Sequence, residues 1–231
     1  MQRNALRGHS PAPDPEQPAC RRRGAGRPDP RLLAVSKTQP AEAVAALAAQ
    51  GQQAFGENYV QEALAKMQAL QHLALEWHLI GHLQSNKAEA VATHFDWVQS
   101  VDRPKLVTAL ARHRPAARGP LNVLIQVNID DESSKHGCAP EDVEGLAAAI
   151  AAEPTLRLRG LMAIPAPWPE AERRRDAFVR MRTLFQSLAA QHAQVDSLSM
   201  GMSSDYADAI AEGATLVRIG TALFGARPRP A

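Results

Sequence analysis

Long apolar runs are missing from this 231-residue chain. No stretch approaches the roughly 18 consecutive apolar residues a membrane span needs, and no apolar segment follows the N-terminal arginines as a secretory leader would require. Cysteine is scarce too. Cys20 and Cys138 have neither C-x-x-C spacing nor a partner cluster, so neither a disulfide framework nor a structural zinc site is expected, and the chain suits a reducing cytoplasm. Charge of one sign is lacking. The formal net charge is +2, and much of the excess sits at Arg3, Arg7, Arg21, Arg22, Arg23 and Arg27, so no nucleic-acid groove is expected. There is no G-x-G-x-x-G, no P-loop and no G-x-S-x-G elbow, which removes the usual signatures of dinucleotide binding, NTP binding and serine hydrolysis. Lysine is rare: Lys37, Lys66, Lys87, Lys105 and Lys135 are the only five. Where only positive charge is needed, this chain uses arginine.

Residues 1–29 are rich in proline and arginine with little apolar periodicity, so they are expected to be disordered, and residues 30–231 to form the folded unit. From Leu32 onward short apolar stretches alternate with longer amphipathic ones. Strands are expected near 32–36, 53–56, 76–80, 97–98, 121–129, 157–164, 197–200 and 215–219. Helices are expected near 41–50, 59–70, 85–94, 103–113, 140–152, 170–192, 205–212 and 221–224. That alternation fits a single (β/α)8 TIM-type barrel. An open doubly wound sheet is the weaker fit, since glycines cluster at several strand ends and not after the first strand.

In such a barrel the C-terminal strand ends converge on one mouth. Here they supply Lys37, Asn58, His82, Asn128, Met162, Ser203 and Arg218: one amine, neutral hydrogen-bonding groups, one fixed cation and no evident carboxylate pair. A lysine directly off an apolar strand either snorkels to water or has a chemical task. The Ser199–Asp205 and Val217–Thr221 stretches end strands seven and eight and lead into helices. Loops in those places frequently bind phosphate, so Ser203, Gly220 and Thr221 are phosphate-contact candidates. A helix N-cap for Ser203 and a turn for Gly220 are the ordinary alternatives. A phosphate site facing a lysine suggests a phosphorylated aldehyde held as a Schiff base, with pyridoxal 5'-phosphate (PLP) as the obvious case. Partial desolvation at the mouth would help such a lysine lose its proton. His82 can equally orient a loop, Met162 can simply pack, and Lys135 can be a solvated loop charge.

The segments LLAVSKTQP, FGENYVQE, WHLIGHLQSNK, QVNID-ESSKHG, LRGLMAIP, SLSMGMSSDYADAI and VRIGTALFGAR, in this order, resemble the pyridoxal phosphate homeostasis protein family, also called PROSC or YggS-like. The resemblance implies an alanine-racemase-type barrel with PLP on Lys37. It further implies phosphate contacts from Ser203, Gly220 and Thr221, Arg218 facing the pyridine nitrogen, and Asn58 near the ring; His82 and Met162 are cofactor-binding candidates from their strand-end places alone. Two departures stand out. The helix that usually precedes the first strand is replaced by proline- and arginine-rich sequence, and the usual second lysine of the first loop is Gln39.

An arginine at the pyridine nitrogen would keep that nitrogen unprotonated and weaken the ring as an electron sink. Few residues follow the eighth strand, so the second, β-rich domain from which alanine racemase draws its other acid–base group is not expected. The expected function is therefore non-catalytic PLP buffering or delivery, with PLP-dependent apo-enzymes as recipients and a monomer as the state in solution. The competing readings are a low-activity racemase or lyase with Lys37 as its sole base, and a sugar-phosphate barrel enzyme that binds phosphate without a Schiff base.

Overall fold

The computed structural model describes residues 29–132 and 136–225. Apart from Asp29, the segment expected to be disordered lies outside the described residues, as does Lys135. The strands β1 (Arg31–Val35), β2 (Ala54–Glu57), β3 (Glu76–Leu79), β4 (Trp97–Val101), β5 (Leu121–Gln126), β6 (Leu156–Met162), β7 (Ser197–Ser199) and β8 (Leu216–Ile219) pair in parallel in chain order. The ring closes through β1 and β8, with Ala34 opposite Ile219. This is the barrel the alternation predicts.

Outward-facing strand residues such as Ala34, Phe55, Leu79, Val98, Ile125, Leu161 and Leu198 form one large core with the helical ring. That ring comprises α1 (Ala41–Ala48), α2 (Val60–Ala69), α3 (Ala88–His94), α4 (Pro104–His113), α5 (Val143–Ala151), α6 (Ala171–Gln191), α7 (Tyr206–Ala211) and α8 (Thr221–Phe224). Proline opens α4 at the one turn where a missing N–H costs nothing. Among the described residues no helix is long and apolar enough to cross a membrane.

The barrel interior is filled differently. Leu33, Ala54, Ile80 and Leu216 make one small apolar cluster, and Trp97, Leu124 and Met162 make another. Gly56 allows the first to close, because a Cβ there would lie 3.0 Å from Leu33 Cδ2 and 3.1 Å from Ile80 Cδ1. Between the clusters run the buried polar side chains of His78, Gln99, Ser199 and Arg218.

Most elements match the expected ranges to within a few residues. Strand β4 is longer than expected because Gln99 and Ser100, although polar, are fully buried inside it. Strand β5 is shorter, because at Val127 the chain turns to bridge Cys138 instead of continuing the ladder. Two expected helices, at 85–94 and 140–152, begin as single 3-10 turns, Ser85–Lys87 and Pro140–Asp142.

Candidate functional site

Lys37 follows β1 on a tight turn. Ser36 N–H donates to Gly56 O (3.0 Å) and Gln39 N–H to Ser36 O (3.0 Å), and Thr38 has a positive φ of 64°. An L-residue with a side chain reaches that conformation only at some strain, so other contacts must hold it. Lys66 on α2, 5% exposed, supplies them. Its Nζ donates to Ser36 O (2.6 Å), Glu57 Oε1 (2.8 Å) and Glu62 Oε1 (2.6 Å). Ser36 Oγ donates to the same Glu57 oxygen (2.6 Å), and the Thr38 N–H donates to Glu62 Oε1 (2.5 Å). The backbone on both sides of Lys37 is thus fastened to one buried ammonium and two carboxylates. Burial raises the Glu57 pKa against the opposing pull of Lys66 and Ser36, and its Oε2 has no hydrogen-bond partner among the described residues.

Beside this turn the ends of β1 and β8 meet. Val35, Lys37, Gln39, Gly220, Thr221 and Gly225 line one small cavity, which brings together the lysine and two of the three phosphate-contact candidates. Gly220 permits the close approach: a Cβ on it would lie 3.2 Å from Val35 O and 3.4 Å from Val35 Cβ. Gln39 forms part of the same wall. Ser203 is exposed on the turn before α7 and is not a wall of this cavity. A broader depression between Asp130, Asp131 and α6 includes Arg180, which is paired with Asp130 (2.9 Å) and Asp176 (2.9 Å).

Arg218, on β8, is only 3% exposed. Its Nη1 donates to Ser199 Oγ (2.7 Å) and its Nη2 to Ala163 O (2.8 Å). Ser199 Oγ donates to Gln99 Oε1 (2.7 Å), and Gln99 Nε2 sits 2.9 Å from His78 Nδ1. His78 Nε2 lies 2.7 Å from Glu76 Oε1, which also accepts from Arg31 Nη2 at 2.8 Å. Burial lowers the Arg218 pKa to about 10, the charge of Asp205 acting weakly in the other direction. The guanidinium is still a cation at neutral pH. Burial also lowers the His78 pKa against its hydrogen bond to Glu76, so the ring is neutral and sits stacked on Trp97 (5.1 Å, 7°).

The remaining candidates are placed less uniformly. Asn58 follows β2, where its backbone presses on Gly81; a Cβ on Gly81 would fall 2.3 Å from Asn58 O. Met162 is fully buried in the interior cluster with Trp97 and Leu124, so its contacts are with other side chains of the core. Asn128 closes its own loop, with Nδ2 donating to Glu132 O (2.9 Å) and Oδ1 accepting from Glu132 N (3.2 Å). His82 is exposed and stacks on His136 (3.7 Å, 15°).

The sequence reading missed Glu57, Glu62 and Lys66, and its inventory of a mouth without paired carboxylates is corrected here: two of them share the Lys66 ammonium. A signal existed, since an acid at the end of an apolar strand and a lysine on the next helix are both anomalous in a chain this sparing of lysine. Gln99 and Ser199 gave none, because neither is unusual alone.

The geometry can be set beside known proteins. Residues 19–228 match the family described as alanine racemase, N-terminal domain. A pyridoxal phosphate homeostasis protein of Pseudomonas aeruginosa is 57% identical over 196 residues, covering 85% of this chain and 84% of that protein. The structure of PipY from Synechococcus elongatus, solved with PLP bound, superposes with a TM-score of 0.78 at 39% identity, covering 87% of this chain and 95% of that one. An alanine racemase from Corynebacterium glutamicum shares the fold (TM-score 0.67, 22% identity), with 86% of this chain matching 57% of the racemase. The chain belongs to the pyridoxal phosphate homeostasis protein family, whose barrel is that of the alanine racemase N-terminal domain.

Proposed function

We propose that this chain binds pyridoxal 5'-phosphate as a Schiff base on Lys37 and serves to buffer or deliver that cofactor, without catalysing amino-acid chemistry of its own. The observation that carries the reading is the shared cavity of Lys37, Gly220 and Thr221. Lys37 brings an amine and Thr221 a hydroxyl to one cavity, where Gly220 lets the backbone lie close against Val35, and an amine with a hydroxyl beside it suits an aldehyde and a phosphate on one small molecule. The family's PLP-bound PipY supports the same ligand.

When bound, the cofactor supplies an electrophilic aldehyde and an aromatic ring able to accept electrons. This chain's residues do the rest. Ser36, Thr38, Glu62 and Lys66 hold the turn that aims Lys37. Gly220 and Thr221 are assigned to the phosphate, and exposed Ser203 joins them only if its loop closes over the ligand. Asn58 is assigned to the ring edge. Arg218, a cation at neutral pH, is assigned to the pyridine nitrogen, where it opposes protonation and so limits carbanion stabilisation. That is the physical ground for a carrier over a racemase. PLP-dependent apo-enzymes are the fitting recipients, and a monomer the fitting state.

The experiment is spectroscopic. Dialysed protein titrated with PLP is expected to develop the visible absorbance of a protein-bound Schiff base, and Lys37→Ala to lose it; undiminished absorbance in the variant would remove Lys37 from its role. Deuterium washout at Cα across a panel of amino acids then separates carrier from enzyme. Rapid washout that depends on the protein and on Lys37 would overturn the carrier reading.

A further inference from the structure

We propose that His82, Asp102 and His136 form a binding site for a divalent transition-metal ion of the zinc or nickel type on the rim of the barrel mouth. One ligand atom from each of the three lies within 4.8 Å of those of the others. They come from three successive loops, those after β3, β4 and β5. Nitrogen ligands sit about 2.0–2.1 Å from zinc, so donors on a tetrahedron are about 3.3 Å apart. Turning exposed side chains closes that difference, and both histidines are exposed. The imidazoles are stacked at 3.7 Å and have to splay as their nitrogens turn toward a common ion.

Two features favour a metal over a chance cluster. First, the histidines are exposed, so packing does not require an imidazole at either position, yet they converge with a carboxylate. Second, Asp102 is held in place by its neighbour. Arg103 Nη1 donates to Asp102 Oδ1 (2.5 Å), while Arg103 Nη2 is anchored on Leu83 O (3.0 Å). A carboxylate has lone pairs to spare beyond one such bond, and outer hydrogen bonds of this kind orient metal ligands. Two imidazoles and one carboxylate form a donor set suited to zinc, nickel or copper and poorly suited to calcium or magnesium. Three protein ligands leave at least one position for water. The inference does not depend on PLP.

The test uses untagged, chelator-stripped full-length protein titrated with Zn2+ and, separately, Ni2+ by isothermal calorimetry. A saturable one-to-one event is expected. His82→Ala, His136→Ala and Asp102→Asn should each weaken it at least about tenfold, since even outer-shell losses reach that size; His113→Ala and His192→Ala should leave it unchanged. With Co2+ in place of zinc, visible d–d bands should appear in the wild type and vanish in His136→Ala, while far-ultraviolet circular dichroism stays constant. No saturable binding, or equal affinity in the His82→Ala/His136→Ala double variant, would overturn the site.

Discussion

Replacing Lys66 by methionine tests the turn that aims Lys37 most directly. Methionine keeps most of the aliphatic stem, so packing changes little, while three charge-assisted hydrogen bonds of 2.6, 2.8 and 2.6 Å are lost. What remains is Glu57, wholly buried, with one oxygen bonded to Ser36 and the other without a hydrogen-bond partner among the described residues. Removing one partner of a buried pair typically costs about 3–5 kcal/mol, because the surviving charge is stranded. With a urea slope of about 2.5 kcal/mol/M, a loss near 4 kcal/mol lowers the unfolding midpoint by about 1.5 M. The pH dependence carries a sign. Burial already raises the Glu57 pKa above 4.5, and loss of the ammonium raises it further. A raised carboxyl contributes stability below its unfolded pKa and loses it as pH climbs through the folded one. The deficit of Lys66→Met should therefore be small near pH 4.5 and grow toward pH 7. Adding Glu57→Gln should restore at least half of it, since a neutral pair strands no charge. The same variant should load PLP more weakly, because Ser36 and Thr38 lose their anchor. A deficit below about 1 kcal/mol at pH 7, or one flat across pH, would refute the cluster as described.

Gly160→Ala puts a Cβ 1.9 Å from Ser197 O at a φ of +146°, where β6 and β7 pair; backbone cannot yield, so a loss above about 4 kcal/mol and a melting temperature lower by roughly 10 °C are expected, and a change within 2 °C would contradict the register. Glu76, which burial pushes up but His78 and Arg31 hold down to about 2, contributes stability above its unfolded pKa that is lost as pH falls toward 2. Its side chain is 32% exposed, so Glu76→Gln should cost only about 1–2 kcal/mol at pH 7 after allowance for solvent screening, and the difference should close near pH 2 in acid titrations followed by circular dichroism. Burial pushes the Cys138 thiol up to about 12; in a Cys20→Ser background, thiol reagents at pH 8 should react only once denaturant is added, and prompt native labelling would contradict its burial.

The barrel was legible because its outer face obeys simple rules. Residues such as Phe55, Leu79, Val98 and Leu198 pack outward against helices, leaving apolar strands that alternate with amphipathic helices. The reading lost accuracy where polar residues turn inward: β4 was read as ending at Val98, although Gln99 and Ser100 continue it with no exposure at all. Lys37, Gly220 and Thr221 were legible from their places at strand ends, and the structure gathers them around one cavity. The Glu57–Lys66 clamp was not. Its logic is carried by partners nine residues apart on a strand and a helix, a spacing with no periodic signature, and by a burial that only the closed fold creates.

Arg218 makes the same point at greater range. Its place at a strand end was readable, but what keeps a cation there was not, because its hydrogen-bonding groups, Ser199 Oγ and Ala163 O, are neutral and come from other strands. Continuing from Ser199 through Gln99 to His78, each group accepts from the one before and donates to the next. Gln99 Oε1 accepts from Ser199, so its Nε2 must donate to His78 Nδ1, and the one proton of the neutral imidazole is assigned to Nε2, facing Glu76. The run begins on a buried guanidinium and ends on a carboxylate shared with Arg31, so every dipole along it points the same way and reinforces its neighbours. Gln99→Leu would break that order in the middle: His78 would lose its donor and Ser199 its acceptor while the apolar volume is nearly kept. A cation without a contacting carboxylate is thus stabilised by an ordered line of neutral groups, which is why neither end of the line reveals the other in the sequence.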